Sequence, residues 1–189
     1  MNKKIPDVLD KCEQEKLLSQ FNLRYITPHR NRTMIKLLLN TGLRLAEMTN
    51  LKWKDINLSL GHVKVVEGKG LKDRLVYIDD DMLEELKRWR ERQFEGWGIS
   101  DYVFTTRNLK LLDGKAVRKM IKIYKDKAGI DKNITTHSLR HTFASDLLRK
   151  SKNIRIVQRA LGHSDISTTQ VYTHIVDDEL EEAMKELRS

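Results

Sequence analysis

Apolar residues recur along most of this chain at the three- and four-residue spacing of amphipathic helices. Asp10 to Glu13 has the form of a capping box, and the helix it opens runs through Leu17 and Leu18. Thr27 and Pro28 offer a cap followed by proline at a first helical position. The helix expected from them carries Met34, Ile35, Leu37, Leu38 and Leu39 and can close at Gly42. A short helix holding Arg44, Leu45, Glu47 and Met48 should follow. The period then changes to two. Ile56-Asn57-Leu58, a Ser-Leu-Gly turn, His62 to Val66, a Gly68-Lys69-Gly70 turn and Arg74 to Ile78 predict a three-stranded meander. Asp79, Asp80 and Asp81 open a helix through Leu83, Leu86 and Trp89. From Asp113 onward the pattern is helical, with breaks at Gly129, Thr135-Thr136, Ser151 to Asn153, Gly162 and after His174. The expected fold is mainly α with one small three-stranded antiparallel β-sheet. No stretch reads as a linker, so residues 1–189 are read as a single domain.

Composition narrows the field. At 189 residues the chain can bury a core without disulfides, and the lone Cys12 excludes an internal disulfide framework or a multi-cysteine zinc site. Mean hydropathy is −0.57, and no apolar run approaches the ~18 residues of a membrane span. Met1 to Pro6 has no signal-peptide apolar core, so the expectation is a soluble, cytoplasmic protein with no membrane partner.

The net charge of +9 is unevenly spread. Thr105 to Ala160 holds fifteen basic and four acidic residues, a net of +11, whereas Asp177 to Ser189 carries six acids and two bases, a net of −4. A concentrated positive field draws polyanions, and nucleic acid is the usual partner. A solvated basic surface is the plainer alternative. The helix from Asp113 to Lys127, with Lys115, Arg118, Lys119 and Lys122, is the candidate to enter a DNA groove.

Five short motifs are candidates for chemistry. They are Gly-Leu-Arg-Leu-Ala-Glu at 42–47, Gly-Lys-Gly-Leu-Lys-Asp-Arg at 68–74, His-Ser-Leu-Arg-His at 137–141, Leu-Gly-His at 161–163, and Tyr-Thr-His at 172–174. Singly each is weak. Gly68-Lys69-Gly70 lacks the rest of a phosphate-binding loop and precedes a strand. His137 and His141 have the i, i+4 spacing of a zinc pair, but Ser138 stands where the zinc-protease motif has glutamate.

In this order the five resemble the tyrosine recombinase (phage integrase) family, over roughly residues 5 to 188. The resemblance implies that family's catalytic-domain fold and site-specific DNA strand cleavage and rejoining through a 3′-phosphotyrosine, without metal, ATP or small-molecule cofactor. Residue by residue, Arg44 matches the first catalytic arginine and Lys69 the hairpin lysine, with Lys72 the second candidate. His137 and Arg140 match the His-x-x-Arg pair, His163 the histidine of Leu-Gly-His, and Tyr172 the nucleophile. Glu47 matches a supporting acid. Tyr77 departs from the proline often found in that strand. The implied partner is double-stranded DNA, with self-association on DNA and a monomer in free solution. The family's usual N-terminal core-binding domain has no counterpart here, since the match begins by Ile5. That leaves either a minimal recombinase or a catalytic fragment, and in both cases weak, salt-sensitive binding is expected. Val176, Leu180, Ala183, Met184 and Leu187 mark one face of a C-terminal helix at about 176–188, which in the family often docks onto a neighbouring protomer.

These residue types suit the reaction. The pentacoordinate transition state gathers negative charge that two arginines can hold. A tyrosine with pKa ≈ 10 is a phenolate only at a cost of ~4 kcal/mol near neutral pH, so a base such as His137 helps. The 5′-alkoxide needs a proton, which Lys69 can supply. Relaxation of the type IB topoisomerase kind, with similar groups, and a non-catalytic DNA-binding regulator are the two rival readings.

Overall fold

The computed structural model describes residues 7–66 and 73–162. Lys69, Lys72, His163, Tyr172 and the expected helix at 176–188 lie outside them. The elements are helices α1 (Lys11–Ser19), α2 (Ile26–Thr41) and α3 (Leu45–Thr49), a 3-10 turn (Trp53–Asp55), strands β1 (Ile56–Asn57), β2 (His62–Val65) and β3 (Arg74–Tyr77), then helices α4 (Asp80–Trp97), α5 (Gly114–Lys127), α6 (Thr136–Ser151) and α7 (Ile154–Leu161). The architecture is mainly helical with a three-stranded antiparallel sheet in the order β1-β2-β3.

Local sequence explains most helix starts. Asp10 accepts from the Glu13 amide at 2.8 Å, and Glu13 returns the bond to the Asp10 amide at 2.8 Å. Asp79, Asp113, Thr135 and Asn153 cap α4 to α7 with their side chains. Such caps contribute about 1 kcal/mol each. The start of α2 differs from the expectation at Thr27-Pro28. It begins at Ile26 with Tyr25 as N-cap and no side-chain cap bond, leaving Pro28 third in the helix. First-turn N–H groups have no intrahelical acceptor, so proline loses nothing there.

The core forms where α2 packs between α4 and α6. Met34, Ile35, Leu37 and Leu38 of α2, and Met82, Leu86 and Trp89 of α4, are fully buried. Trp89 lies over Phe104 and donates from Nε1 to the Val103 carbonyl at 2.7 Å, so its one polar group is satisfied. A second cluster, Ala144, Leu148, Val157 and Leu161, joins α6 to α7. No helix among the described residues is long and apolar enough to cross a membrane.

Two features of this frame position the site. Alternation in the sheet turns Val63, Val65, Arg74 and Val76 inward, with Val65 opposite Arg74 across the β2–β3 ladder. Gly42 ends α2 in the left-handed conformation at φ +61°, where a Cβ atom would stand 2.3 Å from Cδ1 of Phe143 on α6. Both the backbone and the close approach of α6 require glycine there.

Candidate active site

The Gly42 turn releases the chain so that Arg44 stands at the N-terminus of α3 and Glu47 one turn later. Glu47 accepts the Arg44 amide on Oε2 at 2.7 Å and Arg44 Nη1 on Oε1 at 2.8 Å. Arg74 arrives from β3 with a planar fork on the same carboxylate, Nη1 to Oε1 at 3.1 Å and Nη2 to Oε2 at 2.8 Å. Its Nε donates to the carbonyl of Ala160 near the end of α7 at 3.1 Å. Burial on its own would raise the Glu47 pKa, but the hydrogen bonds and charges of Arg74 and Arg44 outweigh it and hold the carboxyl below its usual range.

Arg140 occupies the second turn of α6 and is buried. It donates from Nη1 to the carbonyl of Gly42 and from Nη2 to the carbonyl of Leu161 at 2.7 Å. The same guanidinium therefore joins the Gly-Leu-Arg turn to the start of Leu-Gly-His. Arg44, Glu47, Arg74 and Arg140 form one connected set around residues 160–161, two positions before His163. Three guanidinium groups and one carboxylate leave that set with an excess of two positive charges. It suits an anion carried in by a ligand, and Arg44, whose side chain is 41% exposed, is the member best placed to meet one.

His137 lies in the first turn of α6, exposed, one turn before Arg140 on the same helix. His141 follows Arg140 and is half-buried. Burial first, and then the neighbouring charges of His137 and Arg140, push its pKa below the ordinary imidazole value. Gly114, first residue of α5, packs against Leu45 of α3, with 3.2 Å between its Cβ direction and Leu45 Cδ2. The N-terminus of α5 thus stands beside the arginine helix. Lys115, Arg118, Lys119 and Lys122 are all exposed on it, opposite buried Val117, Met120 and Ile121. Among the described residues no group of three or more His, Cys, Asp and Glu side chains could hold a metal ion.

Of the residues singled out in the sequence, Arg44, Glu47 and Arg140 come together and His137 stands nearby on the helix of Arg140. Lys69, His163 and Tyr172 lie outside the described residues. Arg74 stood out in the sequence only as the last residue of its motif. The signal that could have found it is the strand alternation: an arginine in phase with Val76 must turn inward and needs a buried anion.

The model of the phage integrase family matches residues 7–179. The chain is 42% identical over 188 residues to the tyrosine recombinase XerD of Staphylococcus saprophyticus, covering 98% of this chain and 63% of that protein. It is 42% identical over 177 residues to XerD of Staphylococcus aureus strain N315, covering 92% of this chain and 60% of that protein. The chain thus spans about three-fifths of the length of these relatives. Among solved structures, XerA recombinase superposes with a TM-score of 0.84 at 33% identity, covering 99% of this chain and 67% of that one. The XerH site-specific recombinase bound to a palindromic difH substrate, a post-cleavage complex, gives 0.82 at 32% identity, covering 98% and 54%. With its family model matched over most of its length and its buried arginine–glutamate set in the expected motifs, the chain belongs to the phage integrase family.

Proposed function

We propose that the chain is the catalytic part of a site-specific DNA recombinase that cuts and rejoins strands through a 3′-phosphotyrosine on Tyr172, with no metal, nucleotide or small-molecule cofactor. The observation that carries this reading is the union of Arg44 and Arg140, through Glu47, Arg74 and two backbone carbonyls, at residues 160–161. The recombinase names of its relatives favour strand exchange over simple relaxation.

In this mechanism the phenol oxygen of Tyr172 attacks the scissile phosphorus and the bond to the 5′-oxygen breaks. The phenolic proton passes to His137 or to water, and Lys69 protonates the departing oxygen. Arg44 and Arg140 hold the non-bridging oxygens, where charge rises most in the transition state, and His163 adds a donor. The arginines are set before DNA arrives, so little reorganisation accompanies the reaction. Glu47 keeps Arg44 in place. Lys115, Arg118, Lys119 and Lys122 on α5 contact double-stranded DNA, chiefly its phosphates. The reaction takes place where chromosomal or mobile-element DNA is found, in the cytoplasm.

Residues 1–189 act as one catalytic domain that is monomeric when free and self-associates on DNA. The apolar face at 176–188 docks on a neighbouring copy. A groove of about 970 Å³ between β3, α6 and α7 supports this reading: Leu75, Phe143, Leu147 and Ile156 line it, and its charged lining holds Lys11, Arg149, Lys150 and Arg159 against Asp79 and Asp146. That apolar floor and net positive edge suit a segment that is apolar on one side and acidic on the other.

The test is incubation with a nicked suicide DNA substrate, in chelator and without nucleotide, followed by denaturing electrophoresis. A covalent protein–DNA adduct forms with the wild-type chain and is absent from Tyr172→Phe. An adduct of equal yield from Tyr172→Phe refutes the assignment of the nucleophile, and a wild-type chain that forms none on its own site refutes the function.

A further inference from the structure

We infer that Arg74 is a positioning residue for strand cleavage, holding the Glu47 carboxylate, and through it the Arg44 guanidinium, against the end of α7. The inference rests on the function proposed above. Arg74 faces inward: its charge is paired with Glu47, and its Nε, Nη1 and Nη2 all donate within the protein, whereas the Arg44 side chain is 41% exposed. Its work is internal. Three of its donors engage two different elements, α3 through both oxygens of Glu47 and α7 through the carbonyl of Ala160. The two oxygens of Glu47 each accept from both arginine residues, so the carboxylate is shared between them.

Charge adds a second reason. A lone Arg44–Glu47 pair would be neutral, and the carboxylate would oppose an incoming phosphate. With Arg74 on the same carboxylate the trio carries a net positive charge, and Arg44 faces the ligand as an effective cation. Only arginine can do this from the start of β3. Lysine brings the charge but not the planar fork with a third donor for the backbone. Arg74 also follows Lys69 by five residues in the chain. The strand that follows the lysine segment is therefore tied directly to the first arginine's helix.

The experiment compares wild type, Arg74→Met, Arg74→Lys, Glu47→Gln and the double variant Arg74→Met/Glu47→Gln. Single-turnover cleavage of the suicide substrate is followed at saturating DNA, and affinity is measured separately by filter binding. Cleavage by Arg74→Met should fall at least about 10-fold, and by Arg74→Lys nearly as far, with affinity kept within about 3-fold, since a displaced Arg44 harms the transition state more than the ground state. In the Glu47→Gln background, Arg74→Met should add less than about 2-fold, because both act through one carboxylate. Urea unfolding of each variant identifies the folded ones, and Arg74→Lys keeps the buried charge should Arg74→Met not fold. A folded Arg74 variant that cleaves at the wild-type rate overturns the inference, as does loss of affinity in step with rate or a full multiplicative effect in the double variant. If the wild type itself forms no adduct, the function fails first, a different result from an active wild type with unaffected variants.

Discussion

Replacing Gly42 with alanine should destabilise the fold by roughly 2–4 kcal/mol, in two separable parts. The first is conformational. A residue with a Cβ at φ +61° is disfavoured by ~1–2 kcal/mol, partly offset by the smaller entropy of the unfolded chain. The second is steric. The new Cβ would lie 2.3 Å from Cδ1 and 2.9 Å from Cε1 of Phe143, well inside the ~3.5–4.0 Å of ordinary carbon contact. The ring packs on the Ala144, Leu148, Val157 and Leu161 cluster but also lines the groove between β3, α6 and α7, so it can give way only in part and at a cost in packing. Overpacking of this kind costs about 1–3 kcal/mol. Equilibrium urea unfolding of the whole chain measures the total, and a cycle with Phe143→Ala divides it. Without the ring, Gly42→Ala should cost the conformational ~1 kcal/mol and whatever the 3.1 Å approach to Leu161 Cδ2 adds, leaving a coupling of about 1–3 kcal/mol to Phe143. A Gly42→Ala protein within ~0.5 kcal/mol of wild type would refute the reasoning, as would an equal cost in both backgrounds. The carbonyl of Gly42 accepts from Arg140, so any displacement of this turn should also slow cleavage.

Other outcomes follow from the same structure. Burial opposes ionisation of Glu85, but the His29 ring nitrogen 3.6 Å away and hydrogen bonds from Arg32 and Thr33 prevail and push its pKa down to about 2. Its folded-state pKa is below the unfolded one, so its stabilisation is full above the ordinary value of 4.5 and fades as pH falls toward 2. Glu85→Gln should lower stability near neutral pH by roughly 2–4 kcal/mol and flatten the acid limb of an unfolding-versus-pH series; an unchanged acid limb would contradict this. The lowered pKa of His141 means that the folded state binds fewer protons than the unfolded state. Stability should therefore be full above the ordinary 6.5 and decline as pH falls through the lowered value, and His141→Gln should remove that part of the slope in urea titrations from about pH 7.5 to about pH 5. Changing Lys115, Arg118, Lys119 and Lys122 together to glutamine should reduce the slope of log affinity against log salt by ~0.9 for each DNA phosphate no longer neutralised; an identical slope would place DNA elsewhere.

What the sequence determined by itself is what local chemistry controls. Asp10, Asp79 and Asp113 start helices because a side-chain carboxylate satisfies amides two or three residues on, and such short-range bonds are visible as spacing. The meander was legible from its period of two, and the motifs were legible as a set through their resemblance, in this order, to one family. The edges of this reading show where local rules stop. The start of α2 moved two residues because a first-turn proline is tolerated at more than one position. Only the tertiary structure decided which distant groups share a carboxylate. Arg74 looked like one more charge beside a turn until β3 was turned inward against α3, 27 residues away in sequence. Arg140 looked wholly reserved for a ligand until its guanidinium was found on the carbonyls of residues 98 and 21 positions away. The same holds for Glu85, an acid of α4 that is buried against α2 and paired with Arg32. A buried ion must find its partner wherever the packed helices and strands bring one, and sequence spacing carries no record of that.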